Sequence, residues 1–239
     1  MSIKNKLIKT KKKFKSVKKR SRVKKKSLKY RPNNKITVIP EDVIPSIASY
    51  LQLNNTTIHE AVKDYLSEDE NKKQKVINNY GPISEWDVSQ VTNMAKLFQN
   101  FTDFNEDISN WDVSNVTDMS HMFEDATSFN QPLNNWNVSN VTNMEKMFEG
   151  AIKFNQSLNK WNVSKVRDIG AMFAKAKSFN QPFNKWNVSN VTHMSEMFYR
   201  AESFNQSFNN WNVSNVKVMR GMFWGASSFN QSLNKWNVS

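Results

Sequence analysis

The sequence predicts an α/β repeat. It is a solenoid of 25-residue coils, each with one short strand and one short helix, entered through a small helical N-terminal cap. Three observations predict it. Trp86, Trp111, Trp136, Trp161, Trp186, Trp211 and Trp236 are spaced by 25 residues. Around each of them the same apolar letters return. A period between about 20 and 50 residues belongs to a solenoid, a propeller or an array. A propeller blade takes roughly 40 residues and four strands, more than this period can supply. The chain also holds only 5 glycines, too few for a tight hairpin at every turn.

The unit from Trp111 to Asn135 shows the pattern. Trp111 and Val113 alternate, as in a short strand with one buried face. Val116, Met119, Met122, Phe123 and Ala126 follow at i, i+3, i+6, i+7 and i+10, which predicts one face of a short helix. Thr117 stands where a cap belongs, and in the next unit Thr142 and Glu145 form a capping-box pattern. Phe129 and Leu133 close the unit. These positions read as core, and burying each large side chain stabilises by roughly 1.5–3 kcal/mol. An Asn follows each closing Phe, at positions 105, 130, 155, 180, 205 and 230. An amide both donates and accepts, so this column predicts an asparagine ladder that satisfies buried backbone groups. A coil of this length is that of a leucine-rich-repeat-like solenoid. Residues 81–239 hold six complete units and a truncated seventh.

Upstream, residues 36–80 read as the helical cap that a solenoid needs. Val43, Ile44, Ile47, Tyr50 and Leu51 form a helical stripe. Thr57 and Glu60 suggest a capping box before Ala61, Val62 and Leu66, and the SEDENKK stretch reads as a solvated turn or helix end.

Residues 1–35 read as a disordered basic arm. Lys and Arg fill 16 of the first 31 positions, and no acid precedes Glu41. The remainder carries 18 basic and 21 acidic residues, near −3, so the formal charge of +13 belongs to the arm. Lys11, Lys12, Lys13, Lys18, Lys19, Arg20, Arg22, Lys24, Lys25 and Lys26 are its densest part. They suit a nuclear or nucleolar signal, a nonspecific salt-sensitive tether to nucleic acid, or a solubilising tail.

There is no cysteine, which excludes disulfides and thiolate metal sites. No apolar run makes a signal-peptide core or reaches the roughly 20 residues of a membrane span. The expectation is an intracellular protein, cytoplasmic or nuclear, that is not secreted. The three histidines, His59, His121 and His193, sit in no catalytic motif, and no Gly-rich phosphate loop appears. No enzyme is expected, and no catalytic, cofactor-binding or metal-binding residue.

The unit W-[D/N]-V-S-x-V-T-x-M-x-x-M-F-x-x-A-x-x-F-N-Q resembles that of the BspA-like leucine-rich-repeat family, over about Tyr80 to Ser239. Its 25-residue form occurs in mycoplasma surface proteins, protists and giant DNA viruses. The resemblance implies a right-handed solenoid used for adhesion or protein binding, with no enzymatic activity. An Asn- and Lys-heavy chain without a lipobox-like cysteine fits a viral or intracellular protist version, inside the host cell if viral. A second stretch, Ile39-Pro40-Glu41-Asp42-Val43 with Ile47 and Ser49-Tyr50-Leu51, resembles the first helix of an F-box. That resemblance implies a substrate receptor of a ubiquitin ligase. Ile39, Pro40, Val43, Ile47 and Leu51 would then face a Skp1-type adaptor.

Repeats separate scaffold from message. The slot after Met-Phe reads Gln99, Glu124, Glu149, Ala174, Tyr199, Trp224, and the next reads Asn100, Asp125, Gly150, Lys175, Arg200, Gly225. The column runs from acidic to aromatic and basic. Aromatic and Arg side chains are the usual hot-spot residues, so Tyr199, Arg200, Arg220 and Trp224 are the expected patch for an unknown protein partner. The function predicted is a non-enzymatic protein–protein interaction scaffold.

Overall fold

The computed structural model describes residues 29–30, 37–38, 52–208 and 210–237. The arm lysines and arginines from Lys11 to Lys26 lie outside the described residues, as do Ile39, Pro40, Val43, Ile47 and Leu51. Strands β1 (Lys29–Tyr30) and β2 (Thr37–Val38) pair antiparallel, Lys29 opposite Val38.

Two helices precede the repeats. Helix α1 (Ile58–Tyr65) buries Ile58, Ala61, Val62 and Tyr65, the i, i+3, i+4, i+7 face of an amphipathic helix. The expected capping box at Thr57 and Glu60 does not form. Instead Asn54 Oδ1 accepts the N–H groups of Thr56 (2.9 Å) and Thr57 (3.2 Å). Helix α2 (Glu70–Tyr80) begins inside the stretch read as a turn. Asp69 Oδ1 accepts from Asn71 N–H at 2.9 Å and from Lys72 N–H at 3.4 Å, satisfying orphan donors of the first turn. Its apolar residues are sparse, and Val76 is its buried one, which is why periodicity missed it.

The 25-residue units lie one on the next in parallel. Single-residue parallel bridges join Asn93 to Asp118, Asp118 to Asn143, and so on to Val218. Across each boundary four alternate amides donate to the following unit. At the first boundary Met94, Lys96, Phe98 and Asn100 N–H bond the carbonyls of Asp118, Ser120, Met122 and Glu124, at 2.8–2.9 Å. In the opposite sense, Thr117 N–H donates to Thr92 O and Thr142 N–H to Thr117 O, each at 2.8 Å.

The short strand and short helix expected in each unit do not form. Trp111 and Val113 are buried as anticipated, but the chain then turns at once. Asp112 Oδ1 accepts Ser114 N–H (3.1 Å) and Val113 O accepts Val116 N–H (2.9 Å). Asx-turns of this kind need only a side-chain oxygen, so Asp87 and Asp112 exchange freely with Asn137, Asn162 and Asn187. The supposed helix from Val116 to Ala126 has left-handed backbone at His121 (φ 58) and Asp125 (φ 55), which an α-helix cannot contain. The same two slots are left-handed in the other units, from Lys96 and Asn100 to Gly221 and Gly225. Apolar residues three apart here mark successive tight turns. The Thr that read as a cap bonds backwards instead: Thr117 and Thr142 Oγ1 donate to the carbonyls of Thr92 (3.1 Å) and Thr117 (3.2 Å).

The core is a set of columns. Phe98, Phe123, Phe148, Phe173, Phe198 and Phe223 stack with ring centroids 5.4–5.8 Å apart. A second file from Phe104 to Phe229 repeats this at 5.6–6.2 Å. Stacked aromatic pairs add about 0.5–1.5 kcal/mol beyond burial. The Trp136 and Trp161 indole N–H groups reach back 28 residues, to Ile108 O (3.2 Å) and Leu133 O (2.9 Å). The asparagine column forms: each Oδ1 accepts the N–H of the Asn 25 residues on, at 2.9–3.0 Å, from Asn105 to Asn230. It runs along the exposed and half-buried rim, so what it satisfies is surface backbone, not the buried groups expected.

The first unit has no predecessor among the repeats, and Asn55 stands in for one. Its Oδ1 accepts Thr92 N–H (2.8 Å) and Asn93 N–H (3.1 Å), the place that the carbonyl of Thr92, Thr117, Thr142, Arg167 or Thr192 fills in later units. Tyr65 and Tyr80 meet Trp86 edge-on at 5.5 and 6.0 Å, closing the apolar column.

Candidate interaction site

Two variable slots recur beside each other in every unit, and their larger side chains reach the surface while Ala174 and Gly150 are buried. Phe98, Phe123, Phe148, Phe173 and Phe198 are buried and Phe223 is half-buried. The next residue begins a turn, and the one after is left-handed at Asn100, Asp125, Gly150, Lys175, Arg200 and Gly225. The pair therefore rides on the rim while the Phe anchors it.

At the acidic end the side chains answer one another. Glu124 Oε2 accepts from the Gln99 amide and pairs with His121 Nδ1 at 2.8 Å. Glu149 pairs with Lys175 at 2.8 Å and with Lys146 at 3.2 Å. Burial alone would raise the Glu149 pKa, but its bonds to Lys175 and Lys146 outweigh that and lower it. The Glu149 hydrogen bond raises Lys175 in turn. Asp125 is raised, first by burial and then by the Glu124 and Glu149 charges.

At the other end an aromatic cluster stands open. The Tyr199 and Trp224 rings lie 4.9 Å apart, and the Arg200 guanidinium sits 5.3 Å from one centroid and 5.5 Å from the other. Trp224 is 62% exposed. Among the described residues, no carboxylate and no hydrogen-bond acceptor meets the Arg200 guanidinium. Tyr199, Arg200 and Trp224 are thus brought together. Arg220 stands apart from them: it is exposed and reaches Glu196 at 3.9 Å.

Between the two ends is a groove of about 260 Å³, lined by Asp125, Gly150, Ile152, Lys175, Lys177 and Arg200 among others. Gly150 makes it. A Cβ there would lie 2.1 Å from Asp125 Oδ1, and φ is +68°. Ile152 is 40% exposed. It occupies a slot that is otherwise Thr102, Thr127, Lys177, Glu202 and Ser227. That substitution was visible in the repeat alignment and sequence reasoning missed it. Lys177 is paired with Glu202 at 3.0 Å.

Among the described residues no three His, Asp or Glu side chains are grouped to hold a metal ion, and no helix is long and apolar enough to cross a membrane. A family model described as "Mycoplasma protein of unknown function, DUF285" matches residues 68–183 and 157–239. No curated protein and no solved structure matches the chain.

Proposed function

The chain belongs to the family of Mycoplasma proteins of unknown function, DUF285, and on that footing we propose that it is a non-enzymatic scaffold for protein–protein interaction. The scaffold is a right-handed, leucine-rich-repeat-like solenoid of the BspA-like kind, and it works through the rim that the variable slots line. One observation carries the reading. The apolar letters common to the units are buried or half-buried, whereas Tyr199, Arg200 and Trp224 break the repeat at the surface and cluster there. A solvent-exposed Trp packed on Tyr and Arg is costly to leave in water and is the usual composition of a hot spot.

The test is a quantitative affinity purification from the native host with full-length protein. Trp224→Ala and Tyr199→Ala are expected to lose the same partners together. Arg220→Ala, which lies outside the cluster, is expected to retain them. An unchanged partner profile in both aromatic variants would overturn the reading.

A further inference from the structure

Resting on that reading of the rim, we infer that its partner is an extended protein segment bearing a carboxylate, which docks on Arg200 with a neighbouring apolar side chain against Trp224. The charges along the groove direct this choice. Lys175 is matched by Glu149 at 2.8 Å and Lys177 by Glu202 at 3.0 Å. Among the described residues, Arg200 is the cation of this groove left without a carboxylate. Its contacts with Tyr199 and Trp224 are to ring faces, so its planar N–H donors remain free. Such a fork is matched by a carboxylate, bidentately.

The acids place the ligand's charge at one end. Of the two acids that line the groove, Glu202 near Arg200 is matched by Lys177, whereas Asp125 lies at the far side of Gly150 with the Glu124 charge close by and no ion pair among the described residues. A carboxylate is repelled there and accepted at Arg200, three units further on. Successive rings are 5.4–6.2 Å apart, so three units span about 17 Å, the length of about five extended residues. Between these ends the lining is Gly150, the exposed Ile152 and the already paired Lys175 and Lys177, and Ile152 is the apolar surface that a bound peptide would cover.

Short fluorescein-labelled peptides alternating Glu with Phe, or Gln with Phe, test this by fluorescence anisotropy on the full-length protein. A labelled oligothymidylate is the nucleic-acid arm. The Glu peptide is expected to bind about tenfold more tightly than the Gln peptide, the scale of one charge-assisted bidentate contact. Arg200→Gln should abolish that preference, Arg200→Lys should reduce it, and Trp224→Ala should weaken both peptides. Both sites are exposed, and an unchanged thermal unfolding midpoint certifies the fold. Equal binding of both peptides, lost in Trp224→Ala, overturns the carboxylate while the patch stands. Binding untouched by any variant, as the basic arm alone would give, overturns both. Oligothymidylate bound through Trp224 in preference to either peptide replaces the protein partner with nucleic acid.

Discussion

Glu149 is answered by two lysines from within the chain, whereas Arg200 is held by two rings and, among the described residues, met by no acid. Both regions stand on the same frame. Phe148 lies beneath the first and Phe198 beneath the second, each fully buried and stacked in the same column. The difference is therefore one of side chains in the variable slots. A repeat of this kind can close its surface on itself in one place and leave it open in another without altering the coil.

The comparison can be broken from the interior outward. Phe148→Ala and Phe198→Ala are each expected to cost about 3–5 kcal/mol, the usual loss for a buried Phe. Similar losses in urea unfolding would confirm one frame under both halves. A much smaller loss at Phe198 would show that the aromatic end is loosely packed.

Gly150→Ala attacks the seam between the halves. A left-handed backbone at a residue with a Cβ costs about 1–2 kcal/mol, and the Asp125 carboxylate must move. Stability equal to wild type would mean that the groove is less rigid than drawn.

Glu149→Gln removes the hub of the acidic half. With solvent screening considered, the expected loss is about 1 kcal/mol at neutral pH. The sign follows from linkage: the folded pKa of Glu149 is depressed, so its contribution is present above its ordinary value of 4.5 and is lost as pH falls through the lower folded value. The gap between wild type and variant should shrink over that window in acid titrations. Asp125→Asn is opposite in sign, since the folded pKa of Asp125 is raised and its ionised form is disfavoured. A gain of a few tenths of a kcal/mol is expected at neutral pH, vanishing in acid as Asp125 protonates. The smallest effect on stability is expected from Trp224→Ala, within about 0.5 kcal/mol. A large loss there would make the Trp structural and remove it from the candidate patch.

Much of this arrangement was legible in advance because repetition exposes it. The period named the stacked unit, and Trp, Val, Met and Phe at fixed places named the core. The backbone of the unit was not legible in the same way. Apolar residues three apart serve a helix and a run of tight turns equally well. The slot holding Asn100, Asp125, Gly150 and Gly225 hinted at left-handed backbone, and so did Gly221 in the other slot, whereas Lys96 and Lys146 gave no such hint. Thr57 looked like a cap, yet Asn54 fills that role, because several residues near the turn can offer an oxygen. Helix α2 was missed because polar and charged residues fill most of it.

By itself, then, the sequence determined which residues are inside. The cost of leaving Phe and Trp in water is set by the residue and recurs at every period. Tertiary structure alone decided which surface groups find partners. That depends on contacts between residues of adjacent units, where a neighbour's side chain is absent, as at Gly150, or arrives with the matching charge, as Lys175 does for Glu149.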